Sequence, residues 1–573
     1  MVQDRLNFVR TRSRVNKIRV EHDSMMAEHR HLGEILLDSA VRFGNEPAIR
    51  YGENVYSYSE VVAAVRNAID EFLNLRPEVT IPVAVGEADD SCQPDPPVVN
   101  VALMIPNCPS FPVFYFAALW QDAVVVPVNP LLSEEEIRLQ IEHSRSTWFV
   151  VHQSWLEKAE RALESISECQ VISVPDDWVA ESRVNCKDGR LIANGQELSE
   201  WRTHWRDGDS QRTAVILYTS GSSGSPKGVE LTHRNLLHNS WLVSEEKFSY
   251  RDNVNRLGPG HVGLAALPLS HVFGLTNMLL GLWYQGGCLS LMKRFEPLEA
   301  IHINSHHQVT FFAGVPAMYF DLVEAATSCH SLMIESLQFC VCGGARLSPN
   351  LKNEFLDSFG ICIQESYGMT ETSPMICCQR INEAEKNGNV GRPFRDIQLR
   401  ILSGDRSEVE PGEVGELFVR GPNVFKSYFR LPPEIGSPHW EGWFGTGDLA
   451  QFNADGTLTI VERSTEIITR GGYQVNPGQI EEVLLSLDWV GEAVVFGVPD
   501  NRLGQEIKAV ISIRHSKFVV GNQSVKQAAE HQLIQGCKTK LAAYKWPRII
   551  EIMDSLPRGP TGKISRLALQ SMS

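Results

Sequence analysis

The sequence predicts an α/β protein: a large N-terminal domain of layered α/β sheets carrying a β subdomain, followed by a small, mobile α+β C-terminal domain. Three observations point there. Strand and helix signals alternate from about residue 31 to about residue 370, the pattern produced by parallel sheets covered by helices. Residues 388–463 then switch to short strands between Gly, Pro and Asp, as in PGEVGELFVRG and WFGTGDLAQFNADGTLTIVER. The length of 573 residues exceeds what one core holds. The expected layout is a disordered lead-in over 1–31, a core over 32–463 with its β subdomain at 388–463, and a C-terminal domain over 464–573 hinged near 464–465.

The elements follow in order. Residues 31–43 read as an amphipathic helix with Leu32, Ile35, Leu36 and Ala40 on one side. Residues 47–57 read as a hairpin, 58–75 as a helix, and the Pro- and acid-rich 76–97 as a surface excursion. A strand over Val98–Ile105, a helix over Phe111–Trp120 and a strand over Ala123–Val128 come next. Asp122 sits where a left-handed turn would end that helix. Beyond Arg463, Asn476-Pro477-Gly478-Gln479 offers an N-cap, a first-turn Pro and a capping-box Gln. Ile480, Val483, Leu484 and Leu487 then keep helical spacing. Strands at Ala493–Val498, Lys508–Arg514 and Arg548–Met553, with a helix near 524–541, complete the C-terminal unit.

Composition narrows the function. Lys+Arg number 53 and Asp+Glu 69, a formal charge of −16, which argues against a nucleic-acid surface. The 12 cysteines include no C-x-x-C pair, so reduced thiols in a cytoplasmic protein are expected rather than a zinc site. No apolar run reaches the ~18 residues of a transmembrane segment, and the first 30 residues lack the apolar core of a secretory signal.

The strongest local signal is Tyr218-Thr-Ser-Gly-Ser-Ser-Gly-Ser-Pro-Lys-Gly228, set between the apolar strands Ala214–Leu217 and Val229–Leu231. Small and hydroxyl residues let N–H and O–H groups converge on phosphate oxygens, and Lys227 adds a point charge. Pro226 and Gly228 around that Lys exclude a Walker A loop. Ser225 excludes a nucleophile elbow. Gly258-Pro-Gly-His-Val-Gly263 matches G-x-G-x-x-G but leads into a strand at Leu264–Leu267, not a helix, so a dinucleotide site is not expected there.

Five motifs stand in order: TSGSSGSPKGV, YGMTE (367–371), WFGTGDL (443–449), GGYQVNP (471–477) and PRGPTGK (557–563). Together they resemble the signature set of the adenylate-forming superfamily, closest in style to its acyl- and aryl-CoA ligases, over about residues 32–570. Read singly, Asp448 would be a turn residue, Tyr367 core and Glu371 a surface carboxylate; each gains its weight from the set.

The resemblance implies ATP-dependent activation of a carboxylic acid to its acyl-AMP, with pyrophosphate leaving, then transfer to the thiol of coenzyme A. Thr219, Ser220, Gly221, Ser222, Ser223, Gly224 and Lys227 would hold the phosphates. Glu371 would ligate Mg²⁺ and Thr370 would bond the α-phosphate. Tyr367, Gly368 and Met369, with Gly343, Gly344 and Ala345, would border adenine and the AMP moiety. Asp448 and Arg463 would take the ribose. Lys563 would bridge the carboxylate and α-phosphate, and Gly471 and Gly472 would line the thiol tunnel after a rotation of the C-terminal domain. His271, Phe273, Gly314 and Val315 would wall the acyl site. PLSHVFGL carries no Asp to hold an α-ammonium, which implies an apolar acid, fatty or aryl, and a place in fatty-acid metabolism.

Two alternatives share the resemblance: loading of an acyl carrier protein's phosphopantetheine, and a luciferase-type oxidation. The intact Glu371, Asp448, Arg463 and Lys563 argue against a binding protein that has lost turnover. Thr465 at the hinge, Gln479, Asp122 and the 76–97 excursion depart from the family pattern.

Overall fold

The computed structural model describes residues 29–74, 99–185, 209–219, 227–245, 249–250, 253–254, 257–328, 334–380, 388–431, 439–463, 468–470, 473–475, 477–500, 504–514, 523–541, 543–559 and 564–572. Most of the lead-in, the 76–97 excursion, residues 220–226, the 464–465 hinge, Gly471, Gly472, Asn476 and Lys563 lie outside the described residues.

Two parallel-centred sheets form the N-terminal part. The first has nine strands in the order Arg392–Pro393, Met375–Cys378, Ile363–Gly368, Phe339–Cys342, Phe311–Gly314, Val262–Ala265, Cys288–Leu291, Pro47–Tyr51 and Asn54–Ser57. Its six central strands, from Ile363–Gly368 to Pro47–Tyr51, run parallel. The second has seven, in the order Ser427–Tyr428, Lys227–Thr232, Thr213–Thr219, Val124–Pro127, Asn100–Met104, Trp148–His152 and Gln170–Val174. Strands such as Asn100–Met104 are buried throughout, as the near-continuous apolar runs of covered parallel sheets require. The helix Ser110–Trp120 is buried on every side, so it belongs inside a helical layer rather than on its surface. Asp122, at φ 58°, makes the left-handed turn between that helix and the strand Val124–Pro127.

The hairpin and the helix Tyr58–Asn74 fall where the sequence places them. The strand expected at Leu264–Leu267 starts two residues earlier, at Val262. Gly263 lies inside it, and a Cβ there would stand 2.4 Å from Leu282 Cδ1. That glycine admits a close helix, not a pyrophosphate.

Residues 398–463 form an antiparallel sheet in the order Gln398–Leu402, Gly415–Arg420, Trp443–Phe452 and His439–Trp440, with Leu458–Arg463 on the long strand Trp443–Phe452. A separate apolar core gathers Ile468, Val475, Ile480, Leu484, Val490, Ile507, Ala529 and Leu533. It packs the helices Pro477–Leu485 and Gln523–Lys540 on a sheet containing Val490–Asp500, Gly504–Ile513 and Ile549–Met553. Gln479 Oε1 accepts from Lys545 Nζ at 2.6 Å, so the residue expected in a capping box binds a lysine. This unit meets the larger one through Arg514 Nη1 on Glu354 Oε1 at 2.6 Å and Asn350 Nδ2 on the Leu485 carbonyl at 3.2 Å. The Arg514 guanidinium also lies 5.6 Å from the Phe320 ring centre.

Candidate active site

The carboxyl ends of parallel strands gather the candidate residues, the edge where open α/β sheets bind ligands. Gly314 ends one strand of the nine-stranded sheet, Gly343–Ala345 follow its neighbour, and Tyr367 and Gly368 end the next. Gly343 N–H donates to the Gly314 carbonyl at 3.2 Å. Thr219 ends a strand of the seven-stranded sheet and pairs with Lys227 on the returning antiparallel strand.

The YGMTE segment is a tight, internally bonded turn. Thr370–Thr372 make a short 3₁₀ turn, and Ser373 follows in the left-handed region at φ 72°. Met369 N–H reaches the Pro374 carbonyl at 3.1 Å, and Thr372 Oγ1 donates to the same oxygen at 2.6 Å. A Cβ on Gly368 would fall 1.8 Å from that carbonyl, so only glycine fits. The buried helix His233–Glu245 fixes the turn from outside: Asn239 Nδ2 donates to the Thr372 carbonyl at 3.3 Å while its Oδ1 accepts from Met375 N–H at 2.9 Å.

Tyr367 Oη donates to Asp448 Oδ2 at 2.5 Å, joining the nine-stranded sheet to the antiparallel sheet. Asp448 is buried and its own N–H donates to Thr446 Oγ1 at 3.1 Å. Its strand partner is Arg463. Arg346 Nη2 donates to the carbonyls of Ile460 at 3.0 Å and Val461 at 2.8 Å. That fastens the Gly343–Ala345 segment, with Gly344 at φ 82°, to the same sheet.

A second constellation was not read from the sequence. Tyr428 Oη donates to Glu371 Oε1 at 2.9 Å, and Lys227 Nζ lies 5.1 Å from the centre of the Tyr428 ring, within cation–π reach. Burial first, then the Glu371 carboxylate, pushes the Tyr428 hydroxyl well above its usual range, so it remains a donor. Tyr428 pairs with Val229 in the strand ladder, and Phe429 N–H donates to the Gly228 carbonyl at 2.7 Å. The only sequence signal was an aromatic in FKSYF, a turn-rich stretch.

On the acyl side, His271 caps the short helical turn Val272–Gly274, its Nδ1 accepting from Phe273 N–H at 3.2 Å. The buried Phe273 ring lies 3.3 Å from where a Gly343 Cβ would be. A Cβ on Gly314 would meet Phe312 at 3.0 Å and Tyr319 at 3.3 Å, and Val315 is buried beside it. The structure thus brings together Thr219, Lys227, Gly314, Val315, Gly343–Ala345, Tyr367–Glu371, His271, Phe273 and Asp448. Arg463 is located by its backbone only. Ser220–Gly224, Gly471, Gly472 and Lys563 fall outside the described residues. Among the described residues no cluster of three metal-type side chains forms, and no helix is long and apolar enough to cross a membrane. The nine described cysteines are thiols rather than halves of disulfides.

The AMP-binding enzyme family matches residues 96–429, and the AMP-binding enzyme C-terminal domain matches residues 479–563. The chain belongs to the AMP-binding enzyme family. A long-chain-fatty-acid–CoA ligase of Bacillus subtilis (strain 168) is 30% identical over 560 residues, 94% of each chain. A feruloyl-CoA synthase of Amycolatopsis sp is 32% identical over 81% of this chain and 87% of its own. Among solved structures, Bacillus subtilis o-succinylbenzoate CoA synthetase in complex with its acyl-adenylate intermediate superposes with a TM-score of 0.72 at 26% identity, covering 94% of this chain and 97% of that one. ATP-bound MatB from Rhodopseudomonas palustris superposes at 0.77 with 23% identity, covering 94% and 98%, a likeness of fold. The two-domain α/β architecture expected of an AMP-binding enzyme is therefore the one this chain adopts.

Proposed function

We propose that this AMP-binding enzyme activates an apolar carboxylic acid, fatty or aryl, as its acyl-AMP and passes the acyl group to the thiol of coenzyme A, in the cytoplasm. The observation that supports this is that Tyr428 touches both Lys227 and Glu371 while Tyr367, four residues before Glu371, bonds Asp448. A cation, a carboxylate and a ribose-type acceptor are what a magnesium nucleotide needs. Relatives named for long-chain fatty acids and for feruloyl-CoA support the acid class.

The chemistry follows from charge. Attack of the carboxylate on the α-phosphorus of ATP forms one P–O bond and breaks another, releasing pyrophosphate. Negative charge builds on phosphoryl oxygens, so fixed cations and N–H donors do the stabilising. Thr219, Ser220, Gly221, Ser222, Ser223, Gly224 and Lys227 would hold the departing pyrophosphate. Thr370 would bond the α-phosphate, and Asp448 and Arg463 the ribose. Tyr367, Gly368, Met369 and Gly343–Ala345 would seat the adenine end. Glu371 fits Mg²⁺: it is a buried hard-oxygen donor with only one carboxylate oxygen taken by Tyr428, and Mg²⁺ commonly binds one or two carboxylates plus phosphates. When bound, that ion neutralises phosphate charge. Lys563 would bridge carboxylate and α-phosphate, His271, Phe273, Gly314 and Val315 would border the acid, and Gly471 and Gly472 would admit the thiol.

The test is acid-dependent ATP–pyrophosphate exchange over a panel of fatty, aryl and amino acids, followed by thioester assays with coenzyme A and with a carrier protein. Exchange with apolar acids and thioester on coenzyme A is expected. No exchange with any fatty or aryl acid would remove the proposal.

A further inference from the structure

We propose that Tyr428 is a positioning residue that keeps Lys227 and Glu371 apart and separately aimed before the magnesium nucleotide arrives. This rests on the nucleotide-site reading above. An ammonium and a carboxylate on either side of one aromatic ring attract each other, and a direct ion pair would cancel the charges that phosphate and metal require. Here no ion pair joins the two; both are held by one side chain instead. The hydroxyl takes Glu371 Oε1 at 2.9 Å, and the ring face takes Lys227 Nζ at 5.1 Å from its centre.

The spacer is anchored to the backbone of the segments that carry both groups. Its strand, Ser427–Tyr428, pairs with the edge of the seven-stranded sheet, and its ring packs on Phe425 with centres 4.9 Å apart. Phe425 N–H in turn donates to the Glu371 carbonyl at 2.9 Å. Backbone and side chain of Glu371 are thus both set by residues 425–428, and one carboxylate oxygen is left for a cation.

Two substitutions separate the two contacts. Tyr428→Phe keeps the ring and removes the hydroxyl; Tyr428→Leu removes both. The readout is Mn²⁺ binding by electron paramagnetic resonance, with an ATP analogue carrying a non-cleavable α–β bridge, so turnover is not required. Tyr428→Phe should weaken Mn²⁺ binding about tenfold, the lower end for a partner of a ligating carboxylate, with the analogue's affinity little changed. Tyr428→Leu should also weaken the analogue itself about 2- to 5-fold through loss of the cation–π contact. Metal and analogue affinities within twofold of the parent in Tyr428→Phe, at an unchanged melting temperature, would overturn the proposal even if the Leu variant misfolds. Acid-dependent exchange by the parent is measured alongside. A parent without exchange whose Tyr428→Phe form loses Mn²⁺ supports Tyr428 and removes only the activity reading; an exchanging parent with an unaltered Phe variant removes only Tyr428.

Discussion

Tyr367 and Asp448, 81 positions apart, share a 2.5 Å hydrogen bond that closes the nine-stranded sheet against the antiparallel one. It holds the Asp448 carboxylate, the group proposed to meet the ribose, in a fixed orientation. Asp448→Asn removes a charged acceptor worth about 1.5–3 kcal/mol, so KM for ATP should rise at least tenfold with KM for the acid unchanged. Tyr367→Phe should do less. Steady-state kinetics in both substrates checks this; an acid-side effect in Asp448→Asn would remove the ribose assignment.

Gly343 separates Phe273 from Ser366. A Cβ there would stand 2.8 Å from Ser366 Oγ and 3.3 Å from the Phe273 ring. Gly343→Ala should therefore push Phe273 into the proposed acyl pocket and lower kcat/KM for the bulkiest acids by about 10- to 100-fold, the scale of one methylene in an apolar pocket. Small acids should be spared, and a uniform loss across the acid panel would contradict the placement.

Lys563 carries the proposed adenylation role from sequence alone. Lys563→Ala should slow acyl-AMP formation by about 10²–10³, the range for loss of one transition-state donor, while thioester formation from supplied acyl-AMP persists. Equal loss in both half-reactions would make the lysine structural.

Much of this was legible in the sequence, for reasons that differ by residue. Buried runs such as Val124–Pro127 and the turn at Asp122 follow from local rules of hydropathy and backbone sterics. Glu371, Tyr367 and Asp448 stand out in the sequence because their motifs come in order. Tyr428 does not, because its partner Glu371 lies 57 positions away and nothing in the intervening chain has a period that joins them. Asn239 was equally hidden: its place in the helix His233–Glu245 is buried all round, and no sequence rule says which turn a buried amide will bond. Gln479 has a local reading as a capping residue whose partner Asn476 lies outside the described residues, and its contact with Lys545, 66 positions away, has no sequence signal.

Arg514 and Glu354 join the two units through a half-buried pair at 2.6 Å. If that contact holds one of the two proposed catalytic arrangements, Glu354→Gln and Arg514→Gln should each change the ratio of adenylation to thioester rates by about fivefold, the effect of ~1 kcal/mol. The exchanged pair Glu354→Arg with Arg514→Glu should restore it. Ratios equal to the parent in all three would show that the pair sets no domain preference.

Two buried histidines give the fold an acid limit. His233 is pushed down to about 3 by burial, then by Arg212. His238 is pushed down to about 4 by burial and by Arg234, with Asp396 opposing from 3.8 Å, too far for a hydrogen bond. Both are neutral in the fold and titrate near 6.5 when unfolded. Below that pH the unfolded chain binds protons the folded one refuses, so stability is complete above about pH 6.5 and falls as pH drops, by up to about 1.4 kcal/mol per pH unit for each. Melting temperature should decline from pH 7 to pH 5, and less steeply in His238→Met. Parallel slopes would clear His238.

Residues 421–429 stitch two sheets that share no strand. Asn423 Nδ2 holds the Met375 carbonyl at 3.1 Å on one, while Lys426 N–H reaches the Glu230 carbonyl at 3.0 Å on the other. One inserted residue there adds up to ~3.5 Å of chain, wider than any of these bonds, and would slip the spacing of Lys227 and Glu371 about Tyr428 out of gauge. Length in this stretch is thus constrained as tightly as residue identity, whereas the exposed Ser403–Ser407 turn could lengthen without cost to the cleft.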